Sequence, residues 1–194
     1  TEFGSDVANL VDGVTKVENI AFRSKEHKQA KNFTKLFLSL AKDLRVIIIK
    51  FADRLNNMET IQYLTSNKRK EIALETKEIF VPLAHRLGMA KLKWELEDLS
   101  LKCLDLRAFN SIKKKIETST RLNEDILSNS IKPIKTELNS YKIKSDIFGR
   151  YKSISSIHRK IEKSGKKFEE IYDLYAIRII VDKIEECYLA LGVI

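Results

Sequence analysis

The spacing of apolar residues changes once along this chain, near residue 140. Before that point apolar residues recur every three or four positions, which is the period of an amphipathic helix. After Tyr141 they fall at alternate positions through residue 147, where a turn at Phe148 and Gly149 is expected, and residues 174–181 form a β-branched run typical of a strand buried on both faces. We therefore predict a mostly α chain, with helices through about residue 140 and strands near 143–148 and 174–181.

Four stripes mark the amphipathic helices of the first part, in residues 29–44, 72–87, 92–106 and 109–138. Two prolines interrupt them. Pro82 predicts a kink and Pro133 should distort the last stripe, because proline removes a backbone donor and clashes with the preceding turn. Gly88 is placed to end a helix.

A continuous apolar run at residues 46–49 leads into the segment that carries Asp53, Asn57 and Thr60. On a helix of about 100° per residue these three positions fall within roughly 60° of one another. They form either a solvated helix face or a polar stripe on an embedded helix. The preceding apolar run favours the embedded helix, where a carboxylate needs a metal or a hydrogen-bond donor. Spacing alone leaves both interpretations open.

A basic pattern follows the change in period. Lys152, Ser156 and Lys160 stand at i, i+4 and i+8, and would line one face of a helix that begins near Gly149. Two ammonium groups, a hydroxyl and a helix N-terminus on one surface favour binding of a triphosphate. A generic basic amphipathic helix is the alternative.

The net charge of +9 favours anionic partners, either nucleotides, RNA or an acidic surface, unless it serves only solubility. Cys103 and Cys187 are far apart and match no disulfide framework or zinc spacing, so we expect two reduced core thiols. No window approaches 18 uncharged apolar residues and the start lacks signal-peptide features, so we expect a cytoplasmic protein without a membrane partner. The missing initiator Met and the apolar final residues suggest truncation at both ends.

Several longer motifs are similar to those of the RelA/SpoT family, and the likeness covers essentially the whole chain. Residues 50–58 (KFADRLNNM) closely resemble the last motif of the family's HD-type hydrolase domain. Residues 149–160 (GRYKSISSIHRK) and 171–178 (IYDLYAIR) resemble the ATP-binding helix and the following strand of its synthetase domain. Three further segments match the family: residues 10–16 (LVDGVTK), 82–88 (PLAHRLG) and 93–99 (KWELEDL).

The hydrolase resemblance implies a manganese-dependent enzyme that removes the 3′-pyrophosphate of ppGpp or pppGpp. Asp53 matches the family's final Mn²⁺ ligand, while Asn57 and Thr60 match residues near the nucleoside. The family's other ligands, a His and a His-Asp pair, would lie before Thr1. His27 is in an unrelated context and His85 lies in a packing helix, so neither replaces them.

The synthetase resemblance implies transfer of pyrophosphate from ATP to the 3′-hydroxyl of GDP or GTP. Arg150 and Arg178 would sandwich the adenine, and Asp173 would bind Mg²⁺. The phosphates would be held by Lys152, Ser156 and Lys160. The family's guanosine-stacking Tyr and second acidic residue would lie beyond Ile194.

Asp173 and Arg178 differ by five positions, which on a regular strand would place them on opposite faces. Asp173 must therefore lie at a bend. Tyr151 replaces the proline that is usual in the family, which should loosen that turn.

The resemblance divides the chain into the end of an all-helical HD hydrolase domain in residues 1–68, a central helical bridge in residues 69–105, and the start of an α/β nucleotidyltransferase-like synthetase domain in residues 106–194. We expect a bifunctional enzyme of the stringent response, with this fragment inactive alone. Any contact with the ribosome would need regions outside the chain. Two other classes remain possible from the residues: a non-catalytic module that senses nucleotides, and an RNA-binding helical protein suggested by the charge.

Overall fold

The protein is described by a computed structural model that covers residues 2–15, 34, 35, 37–39, 41–171 and 173–194, with the backbone only for residues 119–128, 150 and 151. It divides into two compact units, Thr1–Phe80 and Val81–Ile194. Helices account for most of the described residues, and the two strands both lie in the second unit. The predicted mostly α fold with a late change to mixed α and β is confirmed. The domain limits expected at residues 68 and 105 stay predictions.

The first unit is helical throughout its described elements. These are α1 (Gly4–Val14), α2 (Arg45–Glu59), a 3₁₀ turn (Ile61–Tyr63), α3 (Ser66–Glu75) and a π-helical turn (Thr76–Phe80). The described residues from 34 to 42 are also helical, as predicted for that stripe. Residues 29–33, 36 and 40, as well as His27, lie outside the described residues.

Aromatic packing joins α2 to the end of the first unit. The rings of Phe51 and Phe80 meet edge to face, with centroids 6.1 Å apart. Met58 is buried beside Thr76, whose hydroxyl lies 3.3 Å from the Met58 sulfur and donates a 2.7 Å hydrogen bond to the Ile72 carbonyl. The apolar side of α2 is therefore fixed against the helix that follows it.

A glycine allows α1 and α2 to approach closely. A Cβ atom at Gly13 would lie 2.8 Å from Cγ2 of Val46 and 3.3 Å from Cβ of Ser39. Atoms that are not bonded do not come so close, so any side chain at this position would push the helices apart. Gly13 therefore has a packing role.

The apolar run before Asp53 is buried on one side only, which corrects the expectation of a fully embedded segment. Val46 and Ile47 are each 2% exposed, whereas Ile48 is 56% and Ile49 is 43% exposed. The segment is helical, so consecutive residues point about 100° apart and four in a row cannot share one face. The sequence showed a continuous run because both faces of the helix carry apolar residues here.

The second unit contains five helices, two strands and a 3₁₀ turn among its described elements. In chain order these are α4 (Val81–Arg86), α5 (Ala90–Leu104), α6 (Leu106–Ser140), β1 (Ser145–Tyr151), α7 (Ile154–Ser164), the 3₁₀ turn (Phe168–Glu170), β2 (Tyr175–Val181) and α8 (Ile184–Val193).

The two prolines have different consequences. Pro82 lies at the second position of α4, directly after the π-helical turn, and its missing N–H leaves the helical ladder widened there. Pro133 lies inside α6, which continues through it to Ser140. Gly88 ends α4 with a φ of +72°, and its N–H donates to the His85 carbonyl, so the predicted helix end is confirmed.

The sheet is an antiparallel pair whose alternate positions face the core. Ile147 lies opposite Ile179, and both pack on a cluster formed by Leu138, Ile143 and Ala190. Two details differ from the predictions. β1 continues through Phe148 and Gly149 without a turn, and β2 is buried on one face only, with Ile180 51% exposed. Among the described residues of the second face, Phe148 and Ile180 are each 51% exposed.

A second apolar cluster joins α6 to α7. Its buried members are Ile112, Ile157, Phe168 and Ile171. Both cysteines are free, as predicted, but Cys187 is exposed and Cys103 is only half-buried, so neither is a fully buried core thiol. Within the described ranges, no helix has the length and apolar character needed to cross a membrane.

Candidate functional site

The first group of predicted site residues lies on the last turns of α2 and is exposed. Both oxygens of Asp53 accept hydrogen bonds, one from the Asn57 amide at 3.0 Å and one from the Lys50 ammonium at 3.2 Å. The Thr60 hydroxyl donates to the Asn56 carbonyl at 2.8 Å, where α2 ends. The Asp53 side chain is 53% exposed, so the expectation of a buried carboxylate is wrong. Its two hydrogen-bond partners lie on the same helix.

A metal site at Asp53 would need further ligand side chains close to this carboxylate. Within the described residues, no group of three or more His, Cys, Asp or Glu side chains is close enough to hold a metal ion. A structural or hydrolytic metal normally needs several such ligands. The described residues of the first unit therefore supply one candidate carboxylate and do not by themselves form a manganese site.

The neighbouring Arg54 has a structural role that sequence reasoning missed. Its guanidinium donates to Glu75 at 3.2 Å and lies 4.1 Å from the centre of the Phe80 ring. Only 11% of its side chain is exposed. Arg54 therefore fastens α2 to the end of α3 while Asp53, the preceding residue, faces the solvent.

The second group of predicted residues is brought together by the β1–α7 connection and the start of β2. The ammonium groups of Lys152 and Lys160 donate to different oxygens of Asp173, at 2.5 Å and 2.8 Å. These hydrogen bonds hold the pKa of the Asp173 carboxyl far below its ordinary value. Asp173 precedes β2, next to a bend at Leu174, so it lies outside the regular strand as the sequence required.

Lys152 is positioned by the backbone and is not part of the helix, which corrects the expectation that α7 begins near Gly149. Its N–H donates to the Leu174 carbonyl at 2.9 Å, and α7 begins at Ile154 after the cap residue Ser153. The hydroxyls of Ser153 and Ser156 are 2.7 Å apart. Lys152 and Lys160 thus converge through tertiary structure, with only Ser156 and Lys160 on the helix.

The N-terminus of α7 is occupied by protein groups. The N–H of Ser155 donates to Asp98 of α5 at 2.7 Å, and the N–H of Ile154 donates to the same carboxylate at 3.3 Å. The N–H groups of Ser156 and Ile157 donate to Ser153. The helix N-terminus expected to contribute to phosphate binding is therefore already satisfied, and the side chains are left as the phosphate-binding groups.

The two arginines of the second group are placed by the strand pairing. Arg178 is opposite Phe148 and Arg150 is opposite Ala176, so positions 150 and 178 belong to the same face of the ladder. The Arg178 guanidinium lies 5.9 Å from the centre of the Trp94 ring. The side chain of Arg150 lies outside the described part of the chain.

A cavity of about 490 Å³ opens beside this second group. It lies between α5, α6 and the β1–α7 connection, and Trp94, Asp98, Lys113, Lys152 and Ser153 contribute to its walls. The Trp94 ring, three lysines and three carboxylates line this cavity, so an aromatic base could stack there but the charges of the walls do not select for phosphates. Sequence reasoning assigned no role to Trp94 or Asp98, although both lie in residues 93–99, the segment that carries part of the family resemblance.

Two parts of the chain match known protein families. An HD domain matches residues 1–90, and the region found in RelA/SpoT proteins matches residues 149–194. The HD-domain match indicates dependence on a divalent metal ion.

Relatives align over almost the whole chain. A guanosine-3′,5′-bis(diphosphate) 3′-pyrophosphohydrolase of Spiroplasma citri is 43% identical over 191 residues, which are 98% of this chain and 26% of the relative. The enzyme of the same name from Haemophilus influenzae is 39% identical over 98% of this chain and 28% of its own length. A GTP pyrophosphokinase of Streptomyces coelicolor is 41% identical over all of this chain and 23% of its own length.

The chain thus spans about a quarter of the length of the curated relatives that it matches. The names of these relatives refer to guanine nucleotides. The two matched regions stand in the same order as the two groups of site residues along the sequence. This agreement of motifs, family matches and relatives shows that the chain belongs to the RelA/SpoT family.

Proposed function

We propose that the chain is the part of a guanosine polyphosphate enzyme that carries components of two activities. One is pyrophosphate transfer from ATP to the 3′-hydroxyl of GDP or GTP. The other is hydrolysis of the 3′-pyrophosphate of ppGpp or pppGpp. The observation that carries the proposal is the convergence of Lys152 and Lys160 on Asp173, inside the region matched by RelA/SpoT proteins.

The two lysines are the proposed phosphate-binding groups of the transferase. In this structure both lysines form ion pairs with the Asp173 carboxylate, so they favour a negative charge at this place. The side chain of Asp173 is 53% exposed, so a triphosphate can approach from solvent and take over the lysines. The Ser156 hydroxyl, on α7, donates a hydrogen bond to the phosphates. Arg150 and Arg178 stack on the adenine.

Release of Asp173 from the lysines leaves a carboxylate beside the bound phosphates. Magnesium in phosphoryl-transfer sites is commonly held by one or two carboxylates together with phosphate oxygens, so a single available Asp fits this ion. When bound, Mg²⁺ would offset the charge that develops on the phosphates. The 3′-hydroxyl oxygen then bonds to the β-phosphorus of ATP and releases its proton to solvent, while the bond from that phosphorus to the α-phosphate oxygen breaks and AMP leaves.

The hydrolase half of the proposal rests on Asp53 and on the HD domain match to residues 1–90. Asp53 is the proposed ligand of Mn²⁺, and Asn57 and Thr60 are proposed to lie near the nucleoside. Since the described residues contain no complete metal site, no hydrolytic step is assigned to them. A cytoplasmic location also belongs to this proposal.

The test is a product analysis with the full-length gene product. ATP labelled at the β-phosphate is incubated with GDP and Mg²⁺, and we expect the label in a guanosine product together with an equal amount of AMP. In a second reaction, ppGpp with Mn²⁺ should give GDP and pyrophosphate. Formation of ADP as the nucleotide product would contradict pyrophosphate transfer.

The same measurements separate the two other classes of function. A non-catalytic nucleotide sensor would bind ATP or ppGpp and form neither product. An RNA-binding protein would bind more tightly as the RNA becomes longer, whereas the proposed enzyme should bind free nucleotides according to their number of phosphates.

A further inference from the structure

One face of α5 contacts both elements that carry the proposed ATP-binding residues. Trp94, Glu97 and Asp98 are spaced i, i+3 and i+4, so they share that face. Trp94 lies below Arg178 of β2, Glu97 lies 3.5 Å from Arg159 of α7, and Asp98 accepts two N–H groups at the start of α7. α5 lies within residues 69–105, the segment that the family resemblance assigns to a central helical bridge.

The contact made by Asp98 is the shortest of the three. Its carboxylate takes the N–H groups of Ile154 and Ser155, which the cap residue Ser153 leaves without partners. A negative charge at a helix N-terminus is also favoured by the helix dipole. Asp98 therefore fixes the first turn of α7 from a position 56 and 57 residues earlier in the chain.

Two proposed phosphate-binding residues flank this first turn. Ser156 is its third residue and Lys152 stands two residues before it, paired with Asp173. Glu97 adds a second constraint, because its side chain is only 10% exposed and meets Arg159 one turn further along α7. Loss of the Asp98 carboxylate would let the first turn fray or rotate, and the serine hydroxyl and the lysine would then lose their common alignment.

We propose that Asp98 is a positioning residue for ATP in the transferase site, acting through the first turn of α7. This inference rests on the proposed pyrophosphate transfer. Asp98 itself need not touch ATP, because its oxygens are already used by Ile154 and Ser155. The main requirement is for an oxygen that accepts the Ser155 N–H, the shorter of the two hydrogen bonds at 2.7 Å, and the second oxygen and the negative charge are secondary.

The experiment compares variants of the full-length gene product in pyrophosphate transfer from ATP. Asp98→Ala should raise the KM for ATP by roughly tenfold, with kcat changed by less than about threefold, because the binding groups lose their alignment while Asp173 remains. Asp98→Asn keeps an oxygen acceptor and should bring KM back to within about threefold of the wild type. Hydrolysis of ppGpp should stay the same in both variants.

Asp105→Ala is the matched control. Asp105 caps α6 in the same unit by accepting the Ala108 N–H at 2.9 Å, so its loss should lower stability by a similar amount. We expect its KM for ATP to be unchanged. If both alanine variants raise KM equally, or if Asp98→Asn is as impaired as Asp98→Ala, the positioning role is overturned in favour of general destabilisation.

Two further results separate this inference from the proposed function. If Asp98→Ala does not fold, Asp98→Ser takes its place in the experiment. The serine hydroxyl is too short to reach both amides. An unchanged KM for ATP in Asp98→Ser would overturn the positioning role of Asp98. Amide hydrogen exchange measures the contact between Asp98 and α7 in the absence of ATP. We expect the Ser155 amide to lose protection from exchange in Asp98→Ala. If the wild-type protein shows this protection but forms no AMP, the proposed pyrophosphate transfer is contradicted. The role of Asp98 in ATP binding would then be contradicted as well, because it rests on that reaction.

Discussion

The two groups of predicted site residues are built in different ways. Asp53, Asn57 and Thr60 lie on consecutive turns at the end of α2, and their side chains form hydrogen bonds with groups of that same helix. Lys152, Lys160 and Asp173 come from a strand-to-helix connection, a helix and the residue before a strand. Helical geometry places the first group, whereas the second group depends on the packing of several elements.

This difference has a consequence for function. A group on one exposed helix face can be displayed without being part of a finished site, and among the described residues Asp53 belongs to no group of three or more possible metal-binding side chains. The second group already contains two lysines paired with one carboxylate. A triphosphate could pair with the lysines, and a cation could pair with the carboxylate. Substitutions in the two groups should therefore affect separate reactions.

The largest expected effect is the loss of hydrolysis in Asp53→Ala of the full-length gene product. Removing a metal ligand should lower ppGpp hydrolysis by at least about a hundredfold, because the ion no longer binds in place, while pyrophosphate transfer continues. Initial rates of both reactions, with Mn²⁺ and Mg²⁺ supplied, provide the measurement. Asp43→Ala is the control, since Asp43 is a carboxylate of the same unit that pairs with Arg45. Near-normal hydrolysis by Asp53→Ala would show that the ligand assignment is wrong.

The corresponding loss in the second group is expected for Asp173→Ala. Turnover in pyrophosphate transfer should fall by about a hundredfold or more, because the carboxylate proposed to hold Mg²⁺ is gone, and hydrolysis should continue. Glu169→Ala is a close control. Glu169 also accepts a hydrogen bond from a lysine, Lys115 at 2.9 Å, and the pKa of its carboxyl is also lowered by that bond, but it lies outside the lysine pair. Equal losses in both variants would mean that surface charge explains the effect.

A smaller effect, visible in binding, is expected for Arg178→Ala. Loss of a stacking guanidinium should weaken ATP binding by on the order of 1–3 kcal/mol and raise the KM for ATP, with kcat nearly unchanged. Arg178→Lys keeps the charge and lacks the planar group, so it should be impaired almost as much. Substrate titrations at saturating GDP measure this. A lysine variant with wild-type KM would show that charge is what Arg178 contributes, and Arg150→Ala should behave like Arg178→Ala.

The smallest effect concerns acid stability. Hydrogen bonds from Lys152 and Lys160 lower the pKa of Asp173 in the folded state from its ordinary value of 3.8. The unfolded chain therefore binds a proton first as the pH falls, so the stabilisation is complete above pH 4 to 5 and is lost progressively below about 3.8. Half of the side chain is exposed, which screens the pair and keeps the effect small.

Chemical denaturation between pH 6 and pH 2 of wild type and Asp173→Asn would measure this contribution. The difference in unfolding free energy between the two proteins should shrink as the pH falls. An equal difference at every pH would mean that the ion pairs do not form in solution.

Sequence periodicity predicted the elements well where one element alone determines the outcome. The helices before residue 140 and the end of α4 at Gly88 both follow from local patterns. Periodicity failed at residues 46–49, where a continuous apolar run indicates full burial but only one side of the helix is buried. The length of an apolar run shows how many consecutive residues are apolar. It does not show which side of the helix is covered by another element.

The sequence by itself determined which chemical groups are available and their order along the chain: Asp53 on a helix, two lysines eight positions apart, and Asp173 before a β-branched strand. Tertiary structure decided which of them meet. It begins α7 after Lys152, joins both lysines to Asp173, and brings Asp98 to the start of that helix from 56 and 57 residues away. Local periodicity carries no record of such contacts, because they are set by the packing of whole elements against one another.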